Sequence, residues 1–160
     1  MPELDKQGLR QKLTAEREAL LASLAGLSEA KLDQRFEDVE GWTSVGDILR
    51  HLAGAERGML TVAQRCARGK PPPDYTGFDL DRYNARQVEK RAAQSVAQTL
   101  DEMAASRAEL LNFLDGLTEA QLAMPARHPI FGDVTVGQLL RIIASHEGMH
   151  RKDIRKLLRR

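Results

Sequence analysis

Repetition limits the fold more than any other feature of this sequence. LAGLSEAKL (residues 24–32) returns as LDGLTEAQL (114–122), and GWTSVGDILRHLAGAE (41–56) returns as GDVTVGQLLRIIASHE (132–147). The second pair shares Gly41/Gly132, Val45/Val136, Gly46/Gly137, Leu49/Leu140, Arg50/Arg141, Ala53/Ala144 and Glu56/Glu147. Each copy carries an apolar stripe at helical spacing that it has no means of burying alone. Two related helical hairpins closing into one bundle are therefore expected, not two domains. A single domain over residues 1–160 is long enough to bury roughly 70% of the unfolded chain's surface.

Four segments carry the helical period. They run from about Leu4 to Leu24, from an N-cap at Thr43 or Ser44 to about Arg68, from about Tyr83 to Leu114, and from about Thr135 to Leu158. KPPPDYTGFDLDR, with three prolines and a glycine, breaks the pattern between the second and third. Connections of roughly 18 residues separate helices one and two, and again three and four; loops that long cross the end of a bundle or carry function. With only 4% aromatic residues, the composition favours helices over a β-sandwich. The expected class is all-α, a four-helix bundle with long 1–2 and 3–4 connections.

Charge and composition exclude several functions at this stage. Lys plus Arg number 24 and Asp plus Glu 23, a net charge of +1. Without a domain-wide basic field, no nucleic-acid partner is expected. One cysteine forms no internal disulfide, and a reducing cytoplasm is the default location. The first residues lack the apolar core of an export signal, and no apolar run is long enough to span a membrane. There is no P-loop, dinucleotide glycine fingerprint, CxxC, G-x-S-x-G or basic helix-turn-helix.

SHEGMH (145–150) carries the chemistry. At about 100° per residue, His146 and His150 both fall within about 20° of Leu139, at the centre of the fourth helix's apolar stripe. They are either core histidines bonded to a carbonyl or carboxylate, or two ligands on adjacent turns. His51 lies beside the stripe of the second helix, flanked by the small residues Gly54, Ala55 and Gly58, which admit another helix or a ligand close to the backbone. Three inward imidazoles suit Zn²⁺ or Ni²⁺ with a position left open for water or substrate.

Glu56 also falls on an apolar face, where an unpaired carboxylate is costly. It is either the ion-pair partner of an arginine or lysine on a neighbouring helix, or a proton acceptor beside the metal. Asp47 and Asp153 are placed to orient an imidazole. His128, in ARHPIFGD, is expected to be solvent-exposed or to serve a turn. Cys66 reads as a buried, inert thiol, and the six basic residues of RKDIRKLLRR as complements to a helix dipole.

GWTSVGDILRHLAGAE followed by VTVGQLLRIIASHEGMHRKDI resembles the DinB/YfiT-like superfamily of metalloenzymes. The shared pattern is a W-[ST] helix start, a D-[IV]-L-x-H-L-x-x-x-E stretch and an H-x-x-x-H on the last helix. The resemblance implies a four-helix bundle of unusual connectivity, a homodimer, and a divalent metal held by His51, His146 and His150. It also implies a metal-dependent enzyme acting on a small molecule in bacterial stress or detoxification. Some relatives are S-transferases using a low-molecular-weight thiol (mycothiol, bacillithiol or glutathione), and one is a maleylpyruvate isomerase. A hydrolase would use the same open position for water. Arg50, Arg57, Arg82 and Arg86 are candidate anchors for a thiol cofactor's carboxylates. The alternative is a non-catalytic bundle for dimerisation or stress binding, with the metal structural or absent.

Overall fold

The apolar stripes close on each other through four long helices. The computed structural model describes residues 3–160, so the first two residues of the expected domain lie outside it. The long helices are α1 (Lys6–Leu24), α3 (Val45–Ala67), α5 (Val96–Gly116) and α7 (Val136–Leu158). Between them lie α2 (Glu29–Leu32), α4 (Leu80–Lys90), α6 (Glu119–Leu122) and a hairpin of β1 (Pro125–His128) and β2 (Gly132–Thr135). Side-chain caps start the long helices where orphan backbone N–H groups need acceptors. Asp5 accepts from Gly8 N, Ser44 from Asp47 N, and Thr135 forms a capping box with Gln138.

α1 packs chiefly on α7 and more lightly on α5, and α3 packs on α7, α5 and α4, while α1 and α3 make at most slight contact, as do α5 and α7. The two long helices of each half therefore sit diagonally, and the halves interlock instead of forming separate hairpins. That arrangement explains the long connections, which must cross the bundle ends. Each contains one turn of helix, α2 or α6, capped by Ser28 or Thr118. These turns are the LSEAKL and LTEAQL echoes.

Beyond the expected hairpins, two further sequence expectations need correction. The third segment is two helices, α4 and α5, broken at residues 91–94. Ser95 and Gln98 form a capping box that starts α5 afresh. Buried Arg50 donates to the carbonyls of Arg91 and Gln94, satisfying the backbone exposed by the break. The second correction is the antiparallel β1–β2 pair, in register from Pro125↔Thr135 to His128↔Gly132, within an otherwise helical molecule. Gly132 (φ +72°) and its counterpart Gly41 (φ +82°) both occupy the left-handed region, where glycine is favoured.

The core consists of two apolar clusters, each drawing on all four long helices. One is built around Leu13, Leu60, Leu110 and Leu140, the other around Leu20, Leu49, Met103 and Ile154. Fully burying each leucine or isoleucine stabilises by about 1.5–3 kcal/mol, so these clusters drive closure. Beside them lies a closed ion cluster with one residue from each long helix: Arg17, Glu56, Arg107 and Glu147. Arg17 Nη2 donates to Glu56 and Glu147, each at 2.8 Å, and Arg107 Nε donates to Glu56 at 2.8 Å. Arg107 Nη2 completes it on Glu147 at 3.2 Å.

The cluster obeys the sequence repeat. Glu56 and Glu147 are counterparts, and Arg17 and Arg107 have the same spacing as Leu24 and Leu114. Their remaining bonds mirror each other: Arg17 Nη1 donates to the Met103 carbonyl (3.0 Å), and Arg107 Nη1 to the Leu13 carbonyl (2.6 Å). Met103 and Leu13 share that spacing too. No helix among the described residues is long and apolar enough to cross a membrane.

Candidate metal centre

Regular helix geometry brings three histidines together. His146 and His150 stand on successive turns of α7, and His51 faces them from the adjoining α3. His51 Nε2 lies 3.2 Å from His146 Nε2 and 3.1 Å from His150 Nε2. Among the described residues this is the one group of three or more His, Cys, Asp or Glu whose ligand atoms lie within 4.8 Å of one another.

The electrostatics leave these rings as lone-pair donors. Burial, reinforced by the other histidines, pushes His146 down to about 3. Burial, with His150 nearby, pushes His51 down to about 4. Burial also lowers His150, while Asp153 acts the other way. At neutral pH the rings are therefore uncharged. His150 Nδ1 is 3.1 Å from Asp153 Oδ2; its N–H donates to the carboxylate, which turns the Nε2 lone pair toward the other histidines. His51 Nδ1 is buried without a partner. Packing holds that ring instead, with Trp42 at 5.3 Å between centroids.

A divalent ion fits this donor set. Zn–N distances of about 2.0–2.1 Å put neighbouring ligand nitrogens somewhat over 3 Å apart. The three Nε2 atoms stand at such a separation across His51, all neutral.

Glu56 does not join them. Its reading as a proton acceptor beside the metal gives way to its reading as an ion-pair partner, because Arg17 and Arg107 occupy both of its oxygens. Five residues along a helix turn a side chain by about 140° relative to His51, which sends Glu56 into the bundle axis. Asp47 bonds Arg35 and Arg50, not an imidazole. The glycines near His51 admit a helix: a Cβ on Gly54 would come within 2.7 Å of Gln87 Cβ, and one on Gly58 within 2.8 Å of Tyr83 Oη. Cys66 is buried in the apolar core.

The histidines open onto a cavity of about 760 Å³. Trp42, Tyr75, Phe78 and Tyr83 form aromatic walls, with Met59 and Met149 among the aliphatic ones. Tyr75, Phe78 and Tyr83 pack in sequence, with centroids 5.2 and 5.5 Å apart. Charged groups are few. Asp81 lines the cavity, as does Arg127, whose Nε is neutralised by Asp133 at 2.7 Å and whose Nη1 donates to the Pro73 carbonyl. The candidate anchors lie elsewhere. Arg50 is tied to Asp33 and Asp47, Arg57 to Glu109 and Ser106, and Arg82 and Arg86 are exposed outside the lining.

Sequence reasoning missed Arg127 and the wall built by the proline-rich connection. Neither has a periodicity to betray it. His128 has the expected turn role, its Nδ1 accepting from the backbone N–H groups of Ile130 (3.1 Å) and Phe131 (3.2 Å). It also lines the cavity, because β1 packs against both α3 and α7.

A family model described as the DinB superfamily matches residues 12–154. No curated protein matches the sequence. Solved structures of the same fold include YfiT from Bacillus subtilis, described as a probable metal-dependent hydrolase with an unusual four-helix bundle topology. It is 18% identical with a TM-score of 0.71, over 99% of this chain and 90% of that one. A mycothiol-dependent maleylpyruvate isomerase is 15% identical with a TM-score of 0.73, over 91% of this chain and 60% of that one. The colibactin self-resistance protein ClbS, solved with double-stranded DNA, is 15% identical with a TM-score of 0.80, over 100% of this chain and 98% of that one.

The ClbS complex corrects the exclusion of nucleic acid made from net charge. This fold accommodates duplex DNA in a protein of similar architecture, and DNA contacts depend on local placement of cations, not on their sum over the chain.

Proposed function

Since the chain belongs to the DinB superfamily, we propose that it is a divalent-metal-dependent enzyme, with His51, His146 and His150 as ligands and a small molecule as substrate. The observation that carries this reading is the convergence of three neutral Nε2 atoms at the wall of an open cavity. A structural metal is normally enclosed by four protein ligands, whereas a catalytic one keeps a position for water or substrate. That contrast favours an enzyme over a non-catalytic bundle. Zn²⁺ and Ni²⁺ both suit an all-imidazole set.

When bound, the ion would supply Lewis acidity, lowering the pKa of a water or thiol so that it attacks as the anion. The protein's part is positional. Asp153 fixes the His150 tautomer, Trp42 braces His51, and the aromatic walls exclude water from the reacting bond. Water as nucleophile gives a hydrolase and a low-molecular-weight thiol gives an S-transferase, working in the cytoplasm on stress-related or toxic compounds. The cavity supports the hydrolase more directly, since the arginines considered for a thiol's carboxylates do not line it.

Metal analysis of protein purified without an affinity tag tests the assignment, with His146→Ala as the control. About one ion per chain is expected in the wild type, and a loss of at least about tenfold in the variant. Equal metal in both proteins would sink the assignment. Turnover of aromatic esters by loaded protein, with and without added thiols, then separates the two chemistries.

A further inference from the structure

The repeat shows that the cleft has two unlike ends. Under the alignment that pairs Glu56 with Glu147, the ligand positions His146 and His150 correspond to Ala55 and Met59 on α3, and His51 corresponds to Ile142. Ala55 and Met59 line the same cavity as the histidines. The counterpart of the metal end is thus an apolar floor, continuous with Trp42, Phe78 and Tyr83. Methionine is adaptable and aromatic faces favour flat apolar partners.

The cavity offers little to an anionic ligand. Arg127 is already paired with Asp133, and Asp81 would repel an anion. His128 supplies the directional group. Its Nδ1 accepts two backbone N–H bonds, so the ring's proton resides on Nε2, which makes no hydrogen bond among the described residues. A neutral imidazole held in that tautomer is a fixed donor.

We propose that the cleft selects a largely apolar, aromatic small molecule without a negative charge and bearing a hydrogen-bond acceptor, which His128 Nε2–H holds beside the three-histidine site. The location of the reacting group rests on the metal-enzyme reading; the binding preference does not.

Equilibrium dialysis against chelator-treated protein tests it with four probes: 2-acetylnaphthalene, 2-ethylnaphthalene, 2-naphthoate and glutathione. 2-Acetylnaphthalene is expected to bind at least about tenfold more tightly than 2-naphthoate or glutathione, because an unpaired charge loses its hydration. It should exceed 2-ethylnaphthalene by about fivefold, the value of one net hydrogen bond. His128→Asn keeps a turn-capping oxygen for the hairpin while removing the ring donor. It should abolish that fivefold advantage and leave 2-ethylnaphthalene unchanged. Phe78→Ala, at a residue 41% exposed, should weaken both naphthalenes several-fold without disturbing the fold.

Equal or tighter binding of naphthoate or glutathione overturns the substrate class. Equal affinities of the acetyl and ethyl compounds for the wild type overturn the donor role, even if His128→Asn fails to fold. An unchanged affinity in Phe78→Ala overturns the apolar wall. Because every probe is read without metal, failure here leaves the metal analysis standing, and failure there leaves this series readable.

Discussion

Replacing Arg107 by methionine keeps roughly the side chain's length and deletes its charge at the centre of the bundle. In the wild type Arg107 donates to Glu56, Glu147 and the Leu13 carbonyl. Without it, two carboxylates with side chains 4% and 3% exposed share the single guanidinium of Arg17. Breaking a buried pair by removing one partner costs about 3–5 kcal/mol. The Leu13 carbonyl would lose its second donor but keep its helical bond from the Arg17 N–H, so it adds little. Against a total stability of about 5–15 kcal/mol, the broken pair is a large term. The midpoint of urea unfolding, followed by circular dichroism, should fall steeply with the slope unchanged.

The mirrored bonding adds a second constraint. Arg17→Met should cost about the same, within about 1 kcal/mol, because its bonds repeat those of Arg107. Replacing all four residues by Met, Leu, Met and Leu should cost far less than either single change, and apolar replacement of such clusters sometimes stabilises. A loss below about 1 kcal/mol for Arg107→Met would refute the view that these four residues form one closed, interdependent network.

Three further outcomes follow from the site. Trp42 is the single tryptophan and lies 5.3 Å from the His51 ring, so Ni²⁺ should quench its fluorescence strongly and Zn²⁺ only weakly; His51→Ala should abolish the difference. Asp153→Asn removes the carboxylate that orients His150 and should weaken metal affinity by about tenfold in competition with a chelator dye, the lower end of the usual range because Asp153 is part-exposed. Chelator-treated protein should lose stability as pH falls from about 6.5, since His51 and His146, at about 4 and about 3 when folded, stay neutral while their unfolded counterparts bind protons. With both contributing, the unfolding free energy drops by up to about 2.7 kcal/mol per pH unit; above that window the contribution is complete, and a flat profile between about pH 6.5 and 5 would contradict the burial of these rings.

The sequence repeat explains which parts of this molecule were readable and which were not. Where the halves agree, the residues serve structure: Glu56 and Glu147, the paired arginines, and the Gly41 and Gly132 turns. Extending the spacing of Leu24 and Leu114 down the helices would also have exposed Arg17 and Arg107, single charges that look like surface residues in isolation. Where the halves differ, the candidate site begins, for His51, His146 and His150 align in the repeat with Ile142, Ala55 and Met59. The three histidines were legible because they sit on unbroken helices, whose phase is fixed by about 100° per residue. The start of α5 was written in Ser95 and Gln98, yet the helical period running through both segments masked it.

The cleft resisted reading for a different reason. Its walls come from the proline-rich connection and the β1–β2 turn, whose positions depend on packing against α3 and α7 and not on any local period. The same division bears on variation. Substitutions at mirrored positions should register as stability losses, whereas those at the exposed Phe78, and at His128 where the turn cap is kept, should change ligand choice at nearly constant stability. A thermal and ligand-binding survey of both sets, showing the two effects mixed indiscriminately, would undo that assignment.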